Sequence, residues 1–162
     1  MAAPTGNANQ SFCGSGIVGS LTTSSGTNIV WYTAPTGGTV VPNSTALVSG
    51  TTYYASQNNG TCESATRLAV TATLNAIPTV TSTTPNSRCG AGILTLNASS
   101  NIGSLVWYNA ASGGTALATG TSFSPSISGT TTYYVEAVNG ACTSTRTAVV
   151  ATIDAAQTIT ST

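Results

Sequence analysis

Side chains able to titrate, bind a metal or attack an electrophile are scarce in this chain, and that scarcity limits its chemistry before any fold is considered. Three arginines (Arg67, Arg88, Arg146) face three acids (Glu63, Glu136, Asp154), with no lysine and no histidine. A serine or cysteine nucleophile therefore lacks its usual imidazole base. Without lysine there is no amine base, no Schiff base and no lysine–asparagine crosslink. The acids lie far apart in the sequence, which argues against a glycosidase carboxylate pair and a calcium cluster. Cys13, Cys62, Cys89 and Cys142 form no Cys-x-x-Cys pair, so zinc is not expected. The expectation is a non-enzyme with no cofactor and no metal.

Charged residues make up only 4% of the 162 residues, and the net charge is zero. Typical soluble domains carry about 25%. Hydroxyls must supply solubility instead: Ser and Thr make up about a third of the chain. Three scattered arginines cannot build the basic field that nucleic acid binding requires. No apolar run approaches the ~18 residues that span a bilayer, so neither nucleic acid nor membrane insertion is expected.

The chain repeats itself. Cys13-Gly14-x-Gly16-Ile17 returns as Cys89-Gly90-x-Gly92-Ile93, and Val30-Trp31-Tyr32 as Val106-Trp107-Tyr108. Gly37-Gly38-Thr39 returns as Gly113-Gly114-Thr115, Thr51-Thr52-Tyr53-Tyr54 as Thr131-Thr132-Tyr133-Tyr134, and Asn59-Gly60-x-Cys62 as Asn139-Gly140-x-Cys142. The offset grows from 76 to 80 residues along the way, which places a four-residue insertion near Phe123-Ser124-Pro125. Such self-similarity marks a tandem array, with one domain over 1–76 and another over 77–162. Residues 155–162 resemble the start of a further repeat.

Short alternating runs bounded by Gly, Asn, Ser and Pro, with no apolar stripe of helical period, read as strands. In the second copy these fall near 78–83, 92–98, 104–109, 115–118, 121–127, 131–138 and 145–153. About seven strands in some 80 residues is the pattern of an immunoglobulin-like β-sandwich. The fold class is thus all-β, two tandem immunoglobulin-like sandwiches of about seven strands each. Alternation places Trp31, Trp107, Tyr53, Tyr133, Val135, Ala137, Leu68, Val70, Ala72 and Leu74 inside. Tyr32, Tyr54, Tyr108, Tyr134, Arg67 and Glu136 then face outward. Asn59-Gly60 and Asn139-Gly140 are expected to supply positive-φ residues for a tight hairpin.

Two cysteines fall at matched positions in each copy. Four cysteines allow three connectivities, and an array of independent domains favours Cys13–Cys62 and Cys89–Cys142. Each bridge would stabilise its unit by about 4 kcal/mol on the chain-entropy argument. It would tie the start of the second strand to the last hairpin at one end of the sandwich. Disulfides imply an exported protein.

The Cys-Gly, Trp-Tyr-x-Ala-x-x-Gly-Gly-Thr, Thr-Thr-Tyr-Tyr and Asn-Gly-x-Cys-x-Ser blocks resemble the immunoglobulin-like repeats of Bacteroidota surface adhesins and type IX secreted proteins. The resemblance covers nearly the whole chain twice and implies an extracellular, cell-surface stalk or filament segment. Its partners would be neighbouring repeats of the same or like chains, with strand exchange through 77–83 and 156–162 as one mode. The alternative is a surface-glycan adhesin using Tyr32, Tyr54, Tyr108 and Tyr134, since flat aromatics stack on sugar rings. Stacking of these tyrosines with Arg67 and Arg146 is the simpler reading. Outward Thr71 and Thr73 suggest an ice-binding face more weakly.

Overall fold

The computed structural model describes residues 1–155, so the segment 156–162, expected to begin a further repeat and to take part in strand exchange, lies outside the described residues. The chain divides into two compact units, Met1–Ala76 and one beginning at Ile77. Among the described residues both are built from strands, with one 3-10 turn at Val18–Ser20. Among the described residues no helix is long and apolar enough to cross a membrane.

The first unit contains β1 (Asn9–Cys13), β2 (Val30–Tyr32), β3 (Val40–Val41), β4 (Thr52–Ser56) and β5 (Leu68–Asn75). They form one sheet in the order β1-β5-β4-β2-β3. The sheet is antiparallel except at its edge, where β1 runs parallel to β5. Its inner face carries Trp31, Tyr53, Ala55, Val70 and Ala72, all buried. The opposing layer is less regular: Val18, Leu21 and Leu47 close the core, joined by an isolated bridge between Ile17 and Ala46. The Tyr53 hydroxyl accepts a hydrogen bond from the Val48 amide at 3.1 Å, pinning the turn that leads into β4.

The second unit contains β6 (Val80–Thr84), β7 (Asn86–Cys89), β8 (Gly92–Ile93), β9 (Leu96–Ser100), β10 (Ser104–Tyr108) and β11 (Ala118–Thr119). These are followed by β12 (Ser122–Phe123), β13 (Ser126–Ile127), β14 (Thr131–Asn139), β15 (Cys142–Thr143) and β16 (Thr147–Asp154). One sheet runs β11-β10-β14-β16-β7, with β15 paired to β14. The facing layer is β12-β9-β6, extended by β13-β8. β8 and β9 read as one strand broken at Leu94–Thr95, and β12 and β13 as its partner broken at Ser124–Pro125, so the expected sandwich is met. Proline has no N–H to give the ladder, and its carbonyl instead accepts from the Leu94 amide. The four-residue insertion falls in this segment. Around it lie β12 and β13, whereas the first unit has five strands and two isolated bridges, Ile17 with Ala46 and Asn58 with Glu63, instead of about seven strands.

The predicted facing holds. Trp31 and Trp107 are buried, as are Val70, Ala72, Val135 and Ala137, while Leu68 and Leu74 pack at the core's margin. The hairpin expectation shifts by one residue. Asn59 and Asn139 keep negative φ, whereas Gly60 and Gly140 adopt φ of 92° and 61°. With Asn139 paired to Cys142, the loop is Gly140–Ala141 with glycine first. That is the arrangement of a two-residue turn needing only one left-handed residue.

The cysteine expectation is overturned. Cys62 and Cys89 are free thiols and both are exposed, so neither Cys13–Cys62 nor Cys89–Cys142 forms. Cys13 and Cys142 are not free. Strand register explains why neither expected bridge can close. Cys13 ends β1 opposite Asn75, at the trailing end of β5, while Cys62 lies in the hairpin that leads into Leu68 at the other end. β5 has eight residues, about 23 Å at ~3.3 Å per residue, whereas a bridge needs Cα atoms about 4.4–6.8 Å apart. The second unit repeats the geometry, with Cys89 opposite Asp154 and Cys142 before Thr147. Neither cysteine starts the second strand; each ends an unpredicted edge strand that runs parallel to the last one.

One stability result follows. Cys62→Ser and Cys89→Ser should each change unfolding free energy by no more than ~0.5 kcal/mol, as for other surface substitutions, in denaturant titration of dilute chain without reductant. A loss near the ~4 kcal/mol of a loop-closing bridge would reinstate the expected pairing.

Candidate functional site: an arginine, tyrosine and carboxylate cluster on each unit

With so few charges, their placement is informative. Four of the six gather in two clusters, one on the outer face of each unit. In the second unit, β10 presents Tyr108, β14 presents Glu136 and the residue before β16 is Arg146. Register brings Tyr108 opposite Tyr134, and Val106 opposite Glu136. The Arg146 guanidinium lies over the Tyr108 ring, 3.4 Å from its centroid. Its Nη1 donates to the carbonyls of Ala110 and Gly113, both at 2.7 Å. Its Nε donates to Glu136 Oε2 at 3.2 Å, and the Tyr108 hydroxyl donates to Glu136 Oε1 at 2.8 Å. The Arg146 and Glu136 side chains are only 12% and 14% exposed, so this ion pair is largely shielded from water.

The turn after the tryptophan strand makes this possible. Gly113 and Gly114 have φ of 64° and 74° in succession, a conformation that side chains with a Cβ resist. The turn folds the carbonyls of Ala110 and Gly113 toward one guanidinium. Arg146 thus fastens that turn to the last strand.

The first unit rebuilds the cluster with one exchange. Arg67 lies 3.4 Å from the Tyr32 ring centroid and donates to the carbonyls of Ala34 and Gly37, each at 2.7 Å. The position matching Glu136 is Ser56, which is buried. The carboxylate comes instead from Glu63, across the hairpin, where the second unit has Thr143. Ser56 Oγ donates to Glu63 Oε1. The acid has moved to the neighbouring strand, yet it still meets the tyrosine and arginine.

Electrostatics in the clusters run in consistent directions. Hydrogen bonding from Ser56 first, then from Tyr32, holds the Glu63 carboxyl below the ordinary range, helped by the Arg67 charge. The Glu63 carboxylate in turn pushes the Tyr32 phenol up, and Glu136 does the same to Tyr108. A lowered folded-state carboxyl stabilises above its unfolded value, and that contribution fades as pH falls through the folded one. A raised phenol contributes fully below about pH 10 and loses its contribution as pH climbs through the folded value. The first unit should therefore weaken below about pH 4.3, and both units above about pH 10. Thermal unfolding across pH should show both limbs, and Tyr108→Phe should remove the alkaline limb from the second unit. An alkaline limb unchanged in that variant would sink the assignment.

The other two charges lie elsewhere. Arg88 Nη1 donates to the Ile93 carbonyl at 2.7 Å, and Asp154 ends β16. Among the described residues no three His, Cys, Asp or Glu side chains gather as a metal site. Of the candidate ligand-binding tyrosines, Tyr32 pairs with Tyr54 and Tyr108 with Tyr134 across adjacent strands. All four are half-buried. A guanidinium covers one face of Tyr32 and one of Tyr108, the stacking the sequence favoured. The Glu63 exchange was not legible, because the acid does not sit at matched positions of the two copies.

Comparison with known proteins places this architecture. Crystal structures of two Dscam1 isoforms (6.9 and 1.9, N-terminal four Ig domains) align with 95% of this chain, at 14% and 13% identity and TM-scores of 0.31 and 0.30. The chain spans 45% of each of those chains. No curated protein matches it. A family model described as "Ig-like domain CHU_C associated" matches residues 2–75 and again 76–154. The chain is a tandem pair of members of that immunoglobulin-like family.

Proposed function

We propose that this chain is a non-catalytic structural segment of an extracellular surface protein, a stalk or filament piece built of repeated domains. One observation carries the reading: four of the six charged side chains are used internally. Arg67 with Glu63 and Arg146 with Glu136 brace their own turns and hairpins, and among the described residues no convergent set of acid, base and nucleophile accompanies them. Duplication of a whole domain, with the brace kept although its acid has changed strand, fits a unit retained for its shape.

Electron microscopy of the parent assembly tests this. Evenly spaced beads carrying a distal module, shortened by two beads when residues 1–154 are deleted, are the expected result. Loss of binding or turnover with the distal module still in its original position would count against it.

A second reading draws on the tyrosine pairs. Tyr54 and Tyr134 sit beside Tyr32 and Tyr108 on the outer face, and two adjacent rings could receive a sugar. A glycan array separates the readings. Signal abolished by Tyr54→Ala with Tyr134→Ala would establish an adhesin module, and background binding alone would leave the spacer.

A further inference from the structure

Each unit carries one sulfur at each of its poles, and the free pair is Cys62 of the first unit and Cys89 of the second. In the first unit Cys62 sits in the hairpin between β4 and β5. That hairpin is at the pole where the chain enters, since the neighbouring Gln57 side chain donates to the carbonyl of Ala2 at 2.8 Å. In the second unit Cys89 ends β7 opposite Asp154, at the pole where the chain leaves β16. The matching hairpin pole of that unit, at Thr143, borders a groove of about 410 Å³ shared with the entering residues Ile77–Val80. Leading and trailing poles are thus defined independently in each unit. Both thiols are exposed, and the duplication supplies the same two positions in every repeat.

We propose that these chains join head to tail through a disulfide between Cys89 of one copy and Cys62 of the next. The inference rests on the structural-segment reading and gives it a covalent connector. The chemistry is exchange with a small oxidised disulfide, such as oxidised glutathione. One thiolate attacks it, forming a mixed disulfide and releasing one small thiol. The second protein thiolate then displaces the other small thiol and closes the Cys62–Cys89 bond. Two protein thiols are oxidised and one disulfide is reduced to two thiols. Pairing a leading pole with a trailing pole is a heterologous contact, which propagates as a linear chain unless its geometry closes a ring. Pairing like poles would stop at dimers.

The test is oxidation of the intact chain with oxidised glutathione, read on non-reducing gels and by mass spectrometry of bridged peptides. The wild type should give a ladder that collapses on reduction, with Cys62–Cys89 as the bridging peptide. Cys62→Ser and Cys89→Ser should each lose every species above monomer, while an equimolar mixture of the two should give a dimer. Dimers formed by either variant alone would overturn the proposal, as would a wild type that stays monomeric, whether its thiols remain free or bridge within one chain. Such a failure would leave the structural-segment reading untouched, because that reading is judged by the spacing of beads in the parent.

Discussion

Replacing Trp107 by alanine is expected to remove about 3–5 kcal/mol from the second unit, the usual cost of emptying a large aromatic site in a core. The ring is completely buried. It stacks on Phe123 with centroids 5.5 Å apart, and Phe123 meets Tyr133 edge to face at 5.0 Å. Trp107 Nε1 also donates to the Gly120 carbonyl at 2.9 Å, fixing the chain where it crosses from β11 to β12. The substitution thus opens a void between the two layers and strands a carbonyl. A domain of this size has about 4–12 kcal/mol in total, so little would remain. Equilibrium denaturation of the whole chain should show an early transition for the altered unit and a late one for the unit around Trp31. Trp107→Phe should cost less, since it keeps an aromatic ring against Phe123 and leaves a smaller void, although it gives up the hydrogen bond. A loss below ~1 kcal/mol for the alanine variant would mean that the ring does not hold the layers together.

The second large effect concerns Arg146. Arg146→Ala should cost about 2–3 kcal/mol, because hydrogen bonds to charged groups are worth about 1.5–3 kcal/mol and truncation also leaves Glu136 shielded without its partner. Two carbonyls of the turn after β10 would lose their donor at the same time. Arg146→Lys should rescue little. A lysine keeps the charge but cannot lie flat on Tyr108 while reaching Ala110, Gly113 and Glu136 together. Glu136→Gln should fall between wild type and Arg146→Ala, since the amide can still accept from Tyr108. Chemical denaturation reads all three, and hydrogen exchange should show the 110–114 turn opening first. If lysine proved as good as arginine, the planar geometry would be irrelevant and the cluster merely a surface charge pair.

Both results bear on what the sequence discloses. The core was legible because alternation over long strands leaves one solution: Leu68, Val70, Ala72 and Leu74 can face only one way. Strands lacking that signal escaped. Asn86-Ser87-Arg88-Cys89 shows no alternation, and β7 exists because its backbone pairs with β16 at the sheet edge. The cysteine error has the same root. Matched positions in two copies say that each sulfur has an equivalent, but only register says which pole it occupies. Stacking of Arg67 and Arg146 on tyrosines could be anticipated, because the same two residue types recur on the same outward face. The migration of the acid from the Glu136 position to Glu63 could not, since only the folded hairpin puts those two sites side by side.

The edge strands carry a mechanical consequence. β1 runs parallel to β5 over five residue pairs, so tension applied at opposite ends of the first unit pulls its first and last strands past one another lengthwise; in the second unit the same parallel pairing, over four residue pairs, joins the last strand to β7, the strand after the first. Hydrogen bonds loaded in that direction resist together; they do not peel one at a time. A tether made of such units would yield abruptly, at high force, one bead after another.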